Sequence, residues 1–137
     1  MRFTWLSRYQ PQLLAVLRIV TALLFIEHGT MKLFHFPAAQ MEGPLPPLIM
    51  VAAIIELVAG IMVALGLFTR LAAFIAAGEM AVAYFMGHAS KSFWPGINGG
   101  DAAILFCFVF LYIAAAGPGA WALDNRMSRD LDRTDID

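Results

Sequence analysis

Four long apolar runs, at about residues 12–34, 45–68, 70–87 and 98–116, dominate the chain, and ionisable residues are set into them. Glu27, Glu56 and Glu79 lie within the first three, Asp101 opens the fourth, and Arg18, His28, Lys32 and His88 accompany them. A helix of roughly 20 residues crosses a hydrocarbon core about 30 Å thick. The runs therefore read as four spans, the third of them short. An ionisable group at bilayer depth costs about 2.5–3.5 kcal/mol on insertion scales, so such groups pair with one another or line a polar path. Where these charges meet is the functional question.

Composition supports the bilayer as solvent. The chain of 137 residues is 61% hydrophobic and 14% charged, against about 45–50% and about 25% in soluble domains. The net charge of −1 gives no electrostatic footprint for nucleic acid. Cys107 is the only cysteine, which removes dithiol chemistry, an internal disulfide and any four-cysteine metal site. No carboxylate–histidine metal motif is present, so no metal is expected. Residues 1–10 lack the apolar core and cleavage site of a signal peptide, so no processing is expected. Their aromatic and basic residues suit a membrane interface.

The expected architecture is an all-α membrane protein, a four-transmembrane-helix bundle. Gly66 to Arg70 leaves almost no connection between the second and third runs, which makes them an antiparallel hairpin. Residues 35–44 and 89–97 are Pro- and Gly-containing loops. Arg2, Arg8, Arg70, Arg126, Arg129 and Arg133 fall on one side of such a bundle, which places the N and C termini in the cytoplasm. Residues 1–124 form one membrane domain. Residues 125–137 are a charged cytoplasmic tail, expected to be solvated and partly mobile.

At 1.5 Å of rise per residue the polar groups sort by depth. Arg18 lies about a third of the way across, and Glu56 and Glu79 lie near the midplane within its reach. His28, Lys32, His88 and Asp101 form an outer cluster. By helical phase, Arg18, His28 and Lys32 share an arc of roughly 100°, and Glu27 points almost opposite Arg18. Each residue also has a plainer reading. Arg18 with Glu56 or Glu79 is equally a structural ion pair fixing helix register. Asp101 suits a helix N-terminus, where the dipole favours an anion, and Lys32 suits snorkelling to headgroups. His88 reads also as an interfacial residue. Glu27 faces a neighbouring protomer, a second cleft or lipid. Carboxyls outnumber permanent cations in the spans, and burial among like charges raises a carboxyl pKa, the property a proton-exchanging site needs.

Taken in order, Arg18, His28-Gly29, Lys32, Glu56, Gly60, the segment Leu65-Gly66-Leu67-Phe68-Thr69-Arg70-Leu71-Ala72-Ala73, His88, Asn98-Gly99-Gly100-Asp101, Gly117-Pro118-Gly119 and Leu123-Asp124 resemble the DoxX family of small four-helix bacterial membrane proteins. The resemblance covers about residues 12–124. Position 101 is more often Glu in that family, and Glu27 lies outside the pattern. The resemblance implies a bacterial inner-membrane protein associated with redox chemistry. Relatives include a subunit of a thiosulfate:quinone oxidoreductase and proteins linked to oxidative stress.

The leading expectation is thus a quinone-interacting subunit of an oxidoreductase. Arg18 and Lys32 would stabilise charge on a head group, while Glu56, Glu79 or His88 would supply protons. Glu56, Glu79 and Arg18 are the candidate catalytic residues, and His28, Lys32, His88 and Asp101 the candidate cofactor-binding ones. Haem on His28 and His88 is a minor option. The alternatives are a non-enzymatic anchor for a soluble oxidoreductase and a transporter of a small solute or protons. Self-association is compatible with a bundle this small.

Overall fold

The computed structural model describes residues 3–134, in which every regular element is a helix. They are α1 (Thr4–Ser7), α2 (Gln10–Phe34), α3 (Pro47–Leu65), α4 (Thr69–Gly87), α5 (Pro95–Asn98), α6 (Asp101–Ala116) and α7 (Leu123–Thr134). Prolines stand in the first turns of α2, α3 and α5, where a missing N–H is no loss. Three helices, α2, α3 and α4, are long and apolar enough to cross a membrane, and α6 is a shorter apolar helix of 16 residues.

The fourth apolar run does not begin at Asn98 as expected. Asn98 is buried and turns the chain instead. Its side-chain amide donates to the Tyr84 hydroxyl at 3.1 Å and the Ser92 carbonyl at 3.0 Å, and its Oδ1 accepts from the Gly100 N–H at 2.8 Å. These bonds end α5 and delay α6 to Asp101. The described part of the tail is helical, as α7, with most of its residues exposed.

Packing runs α2 along α3 and α4 along α6, with α3 against α4 joining the two pairs. Alanines line the contacts, among them Ala22, Ala59, Ala72, Ala73 and Ala76. Small side chains let backbones approach where no hydrophobic force separates lipid from protein. Between α2 and α6 the gap is filled by aromatics. Phe25 meets Phe110 edge-on at 4.8 Å between ring centroids and Phe106 at 5.8 Å. The outward faces stay apolar, with Val20, Val58, Phe74 and Leu105 all at least half exposed. Lipid is the solvent that such a surface requires.

The end of the bundle bearing the α3–α4 turn is held by polar groups that cap one another's helices. Gly66 closes α3 in the left-handed conformation, φ 71°, and a Cβ there would run into Ala122. Arg70 donates to the carbonyls of Ala114 and Ala115 at the end of α6. Asp124 caps α4 from the far end of the chain. One carboxylate oxygen accepts the Phe68 N–H at 2.7 Å, and the other accepts the Thr69 N–H at 2.9 Å and its hydroxyl at 2.6 Å.

Burial alone pushes the Asp124 carboxyl up. The Thr69 hydroxyl and N–H, the Phe68 N–H and the Arg18 charge outweigh it and hold Asp124 below the usual carboxylate value. A depressed folded-state pKa adds stability that is complete above the unfolded value, about 3.9, and is lost as pH falls through the folded one. Asp124→Ala is accordingly expected to cost about 1 kcal/mol at pH 7, the worth of a helix cap. The gap to the parent protein should close as pH drops below about 4, which unfolding in detergent at several pH values would measure.

Candidate functional site

The site begins with a glycine. On α2, Gly29 faces α3 so closely that a Cβ would lie 3.1 Å from the Ala53 carbonyl oxygen and the Leu57 nitrogen, and 3.3 Å from the Glu56 Cβ. This approach sets the register of α2 on α3 and brings Lys32, one turn further on, over Glu56. The Lys32 ammonium donates to both Glu56 carboxylate oxygens at 2.7 Å. The two side chains are 12% and 2% exposed, so the pair is shielded from solvent on either side.

Glu79 reaches the same place from α4. Its Oε2 is buried and, among the described residues, is the one buried side-chain polar atom without a hydrogen-bond partner. Lys32, Glu56 and Glu79 form the polar floor of a cleft of about 420 Å³ between α3 and α4. Its walls are apolar, including Val51, Ile55, Val82 and Ala83. Leu48, Val51, Val82 and Met86 at its margins are each more than half exposed. The cleft therefore opens sideways, onto the lipid-facing surface. An orphaned buried carboxyl oxygen calls for an explanation. An ammonium carries three donors, so Lys32 retains capacity beyond Glu56.

Of the other expected site residues, His28 stays within electrostatic reach of Glu56, while Arg18, His88 and Asp101 lie elsewhere. Arg18 does not join Glu56 or Glu79. The Gly29 contact fixes Glu56 at the level of residue 29, 11 residues and roughly 16 Å along α2 from Arg18. Fully buried, the Arg18 guanidinium instead donates to the carbonyls of Val63 and Ala64 at the end of α3, at 2.9 and 2.8 Å. It also donates to Pro118, Ala120 and Trp121 in the loop after α6, at 2.8, 3.1 and 3.3 Å. It ties the last loop to the bundle.

The outer cluster disperses in the same way, since Lys32 turns back to Glu56. His88 caps α4, stacks on Tyr84, and its Nδ1 lies 3.1 Å from the Asn98 carbonyl oxygen, to which it donates. His28 is half-buried and packs edge-on against Phe106 at 5.6 Å between centroids. Asp101 is exposed in the first turn of α6. Glu27 is exposed on the outward side of α2. No group of three or more His, Cys, Asp or Glu side chains suited to a metal occurs among the described residues.

Sequence reasoning quotes Asn98 and Asp124 within the family pattern but gives neither a role; Asn98 is the hinge of the α5–α6 turn and Asp124 the cap of α4. Asn-Gly-Gly is a turn signal in its own right and marks the first. Nothing local marks the second.

Apolar helices presenting bare hydrophobic faces around a buried Lys32–Glu56 ion pair define a multi-pass membrane protein. The chain belongs to the DoxX family, whose pattern matches residues 13–89. It is 47% identical over 127 residues to an uncharacterized protein of Haemophilus influenzae, covering 88% of this chain and 95% of that one. It is 30% identical over 135 residues to the inner membrane protein YphA of Escherichia coli, covering 85% and 91%. The uncharacterized membrane protein Rv3486 of Mycobacterium tuberculosis is 26% identical over 139 residues, covering 87% and 83%. No solved structure matches significantly. Family and helices together make this a multi-pass inner-membrane protein.

Proposed function

We propose that this protein is a redox-associated membrane subunit whose α3–α4 cleft receives the head group of a quinone-like lipid. The observation that carries the reading is the orphaned Glu79 oxygen beside the Lys32–Glu56 pair on the floor of a lipid-open, apolar-walled cleft. The donor set fits such a ligand. Lys32 offers an N–H to a head-group oxygen and a positive charge to stabilise developing negative charge there. Glu79 offers an uncommitted oxygen that holds or releases a proton, and the walls accept an apolar tail. A quinone, when bound, supplies two-electron, two-proton chemistry. On this reading Lys32, Glu56 and Glu79 form the site, and Arg18 and His88 support the fold. The topology proposed is four spans, α6 completing its crossing with the flanking turns, with both termini cytoplasmic by the Arg bias.

The test is binding. Purified protein titrated with a short-chain ubiquinone analogue is expected to be stabilised by about 2.7 kcal/mol at a hundredfold excess over Kd, read as a rise in unfolding temperature. Glu79→Leu should remove that stabilisation. Absence of stabilisation in the parent protein, or its survival undiminished in Glu79→Leu, would count against the reading. The Lys32–Glu56 pair also suits a purely structural brace, in an anchor for a soluble oxidoreductase. That reading gains if no analogue binds and an apolar replacement of the pair leaves complex assembly intact.

A further inference from the structure

A second recess, distant from the cleft, lies where α7 leaves the bundle. It is bounded by Leu65 at the end of α3, by Trp121 and by Asn125, Arg126 and Arg129 of α7, with a volume of about 470 Å³. Three independent observations bear on what it holds. The first is charge. At 100° per residue, Arg126, Arg129 and Arg133 lie within roughly 60° of one another on α7. Arg126 makes no ion pair or hydrogen bond among the described residues, and Arg129 bonds through Nε to the Asn125 carbonyl of its own helix. Asp130 flanks this stripe, and Asp124 is engaged at the start of α4.

The second is the aromatic rim. Trp121 adopts a left-handed backbone, φ 56°, unusual for a bulky residue. Its carbonyl is held by Arg18, and its indole is 67% exposed at the edge of the recess. Tryptophan in that situation favours the headgroup level of a bilayer. The third is the path leading out. Val51, Ile54, Val58, Ile61 and Leu65 form an exposed apolar stripe down α3 that ends at the recess. On the other side, Leu123, Met127 and Leu131 give α7 an apolar face of the kind that lies in a membrane surface.

From these juxtapositions we infer that the recess between the end of α3 and α7 binds the phosphodiester headgroup of an anionic phospholipid. Arg126 and Arg129 contact the phosphate, Trp121 sits beside the glycerol level, and an acyl chain runs along the α3 stripe. The site is independent of the quinone reading and would stand if that failed.

The experiment uses the full chain in a Trp5→Phe/Trp94→Phe background, so that emission reports Trp121 alone. The protein is reconstituted in phosphatidylcholine vesicles containing equal mole fractions of brominated phosphatidylglycerol or brominated phosphatidylcholine. Trp121 should be quenched preferentially by the anionic lipid, with a preference on the order of tenfold for two arginines near the surface at low salt. The preference should fall as ionic strength rises and vanish in Arg126→Gln/Arg129→Gln, with the unfolding temperature of that variant confirming an intact bundle. Equal quenching by both lipids, or a preference unchanged in the double variant, would overturn the inference. Relief of the quenching by inorganic phosphate at matched ionic strength would overturn it as well, assigning the recess to a soluble anion.

Discussion

Lys32→Met is expected to destabilise the protein by about 3–5 kcal/mol, because it leaves the Glu56 carboxylate buried with no counter-charge. The pair is bonded at 2.7 Å through both oxygens, and Glu56 is 2% exposed. Water has little access to compensate. Glu56→Gln alone should cost less, since an ammonium on a flexible stem finds new acceptors more readily than a carboxylate on a crowded helix face. Lys32→Met/Glu56→Gln should recover much of the loss, because replacing a buried ion pair whole is far cheaper than breaking it. Unfolding in mixed micelles by increasing sodium dodecyl sulfate would give the three values. A single Lys32→Met variant as stable as the parent would contradict a stabilising role for the charged pair.

The second large effect is expected at Arg18. Its guanidinium serves five carbonyls on two segments that are 54 or more residues apart in sequence, Val63–Ala64 and Pro118–Trp121. A hydrogen bond to a charged group contributes about 1.5–3 kcal/mol, and the buried acceptor left behind adds a desolvation cost. Arg18→Ala should therefore lose about 3 kcal/mol or more and free the segment after α6. Lysine restores the charge without the planar fork, so Arg18→Lys should recover only part. Effects of distant, unconnected sites add to within about 0.5 kcal/mol. A double-mutant cycle between Arg18 and Glu56 should accordingly show no coupling. A coupling of more than about 1 kcal/mol would restore the direct Arg18–Glu56 pairing that the sequence invites and the structure does not contain. Proteolysis between Gly117 and Leu123 offers a second readout, faster in Arg18→Ala than in the parent.

The contrast between these two cations shows what a linear depth map conveys. Apolar run lengths identify the long helices, and counting residues from the tight turn at Gly66 puts Glu56 and Glu79 at one level, because α3 and α4 share that turn. The same counting misplaces both cations. Register between α2 and α3 is set by where Gly29 allows the backbones to touch, after a twelve-residue connection, 35–46, whose sequence carries no register signal. Lys32 further escapes the map because a four-carbon stem carries its charge several ångströms back along its own helix. The cap that Asp124 places on α4 is illegible for a different reason. It depends on the chain reversing after Gly117-Pro118-Gly119, with the Ala120 N–H bonded to the Pro11 carbonyl at 2.9 Å, a closure between the two ends of the chain. The shortening of the fourth apolar run was, by contrast, written in Asn98-Gly99-Gly100, where turn chemistry overrides hydropathy.

The cleft floored by Lys32, Glu56 and Glu79 carries the functional account, and the measurement that meets it most directly is photolabelling in the native membrane. An azido-quinone, irradiated in inner membranes containing the protein and mapped by mass spectrometry, is expected to label α3 and α4 peptides bearing Val51, Ile55, Val82 and Ala83. Excess unlabelled quinone should suppress the labelling, and Glu79→Leu should abolish it. Label spread evenly over the outward faces of α2 and α6 as well, and indifferent to competitor and to Glu79, would contradict the assignment of this cleft as a quinone site.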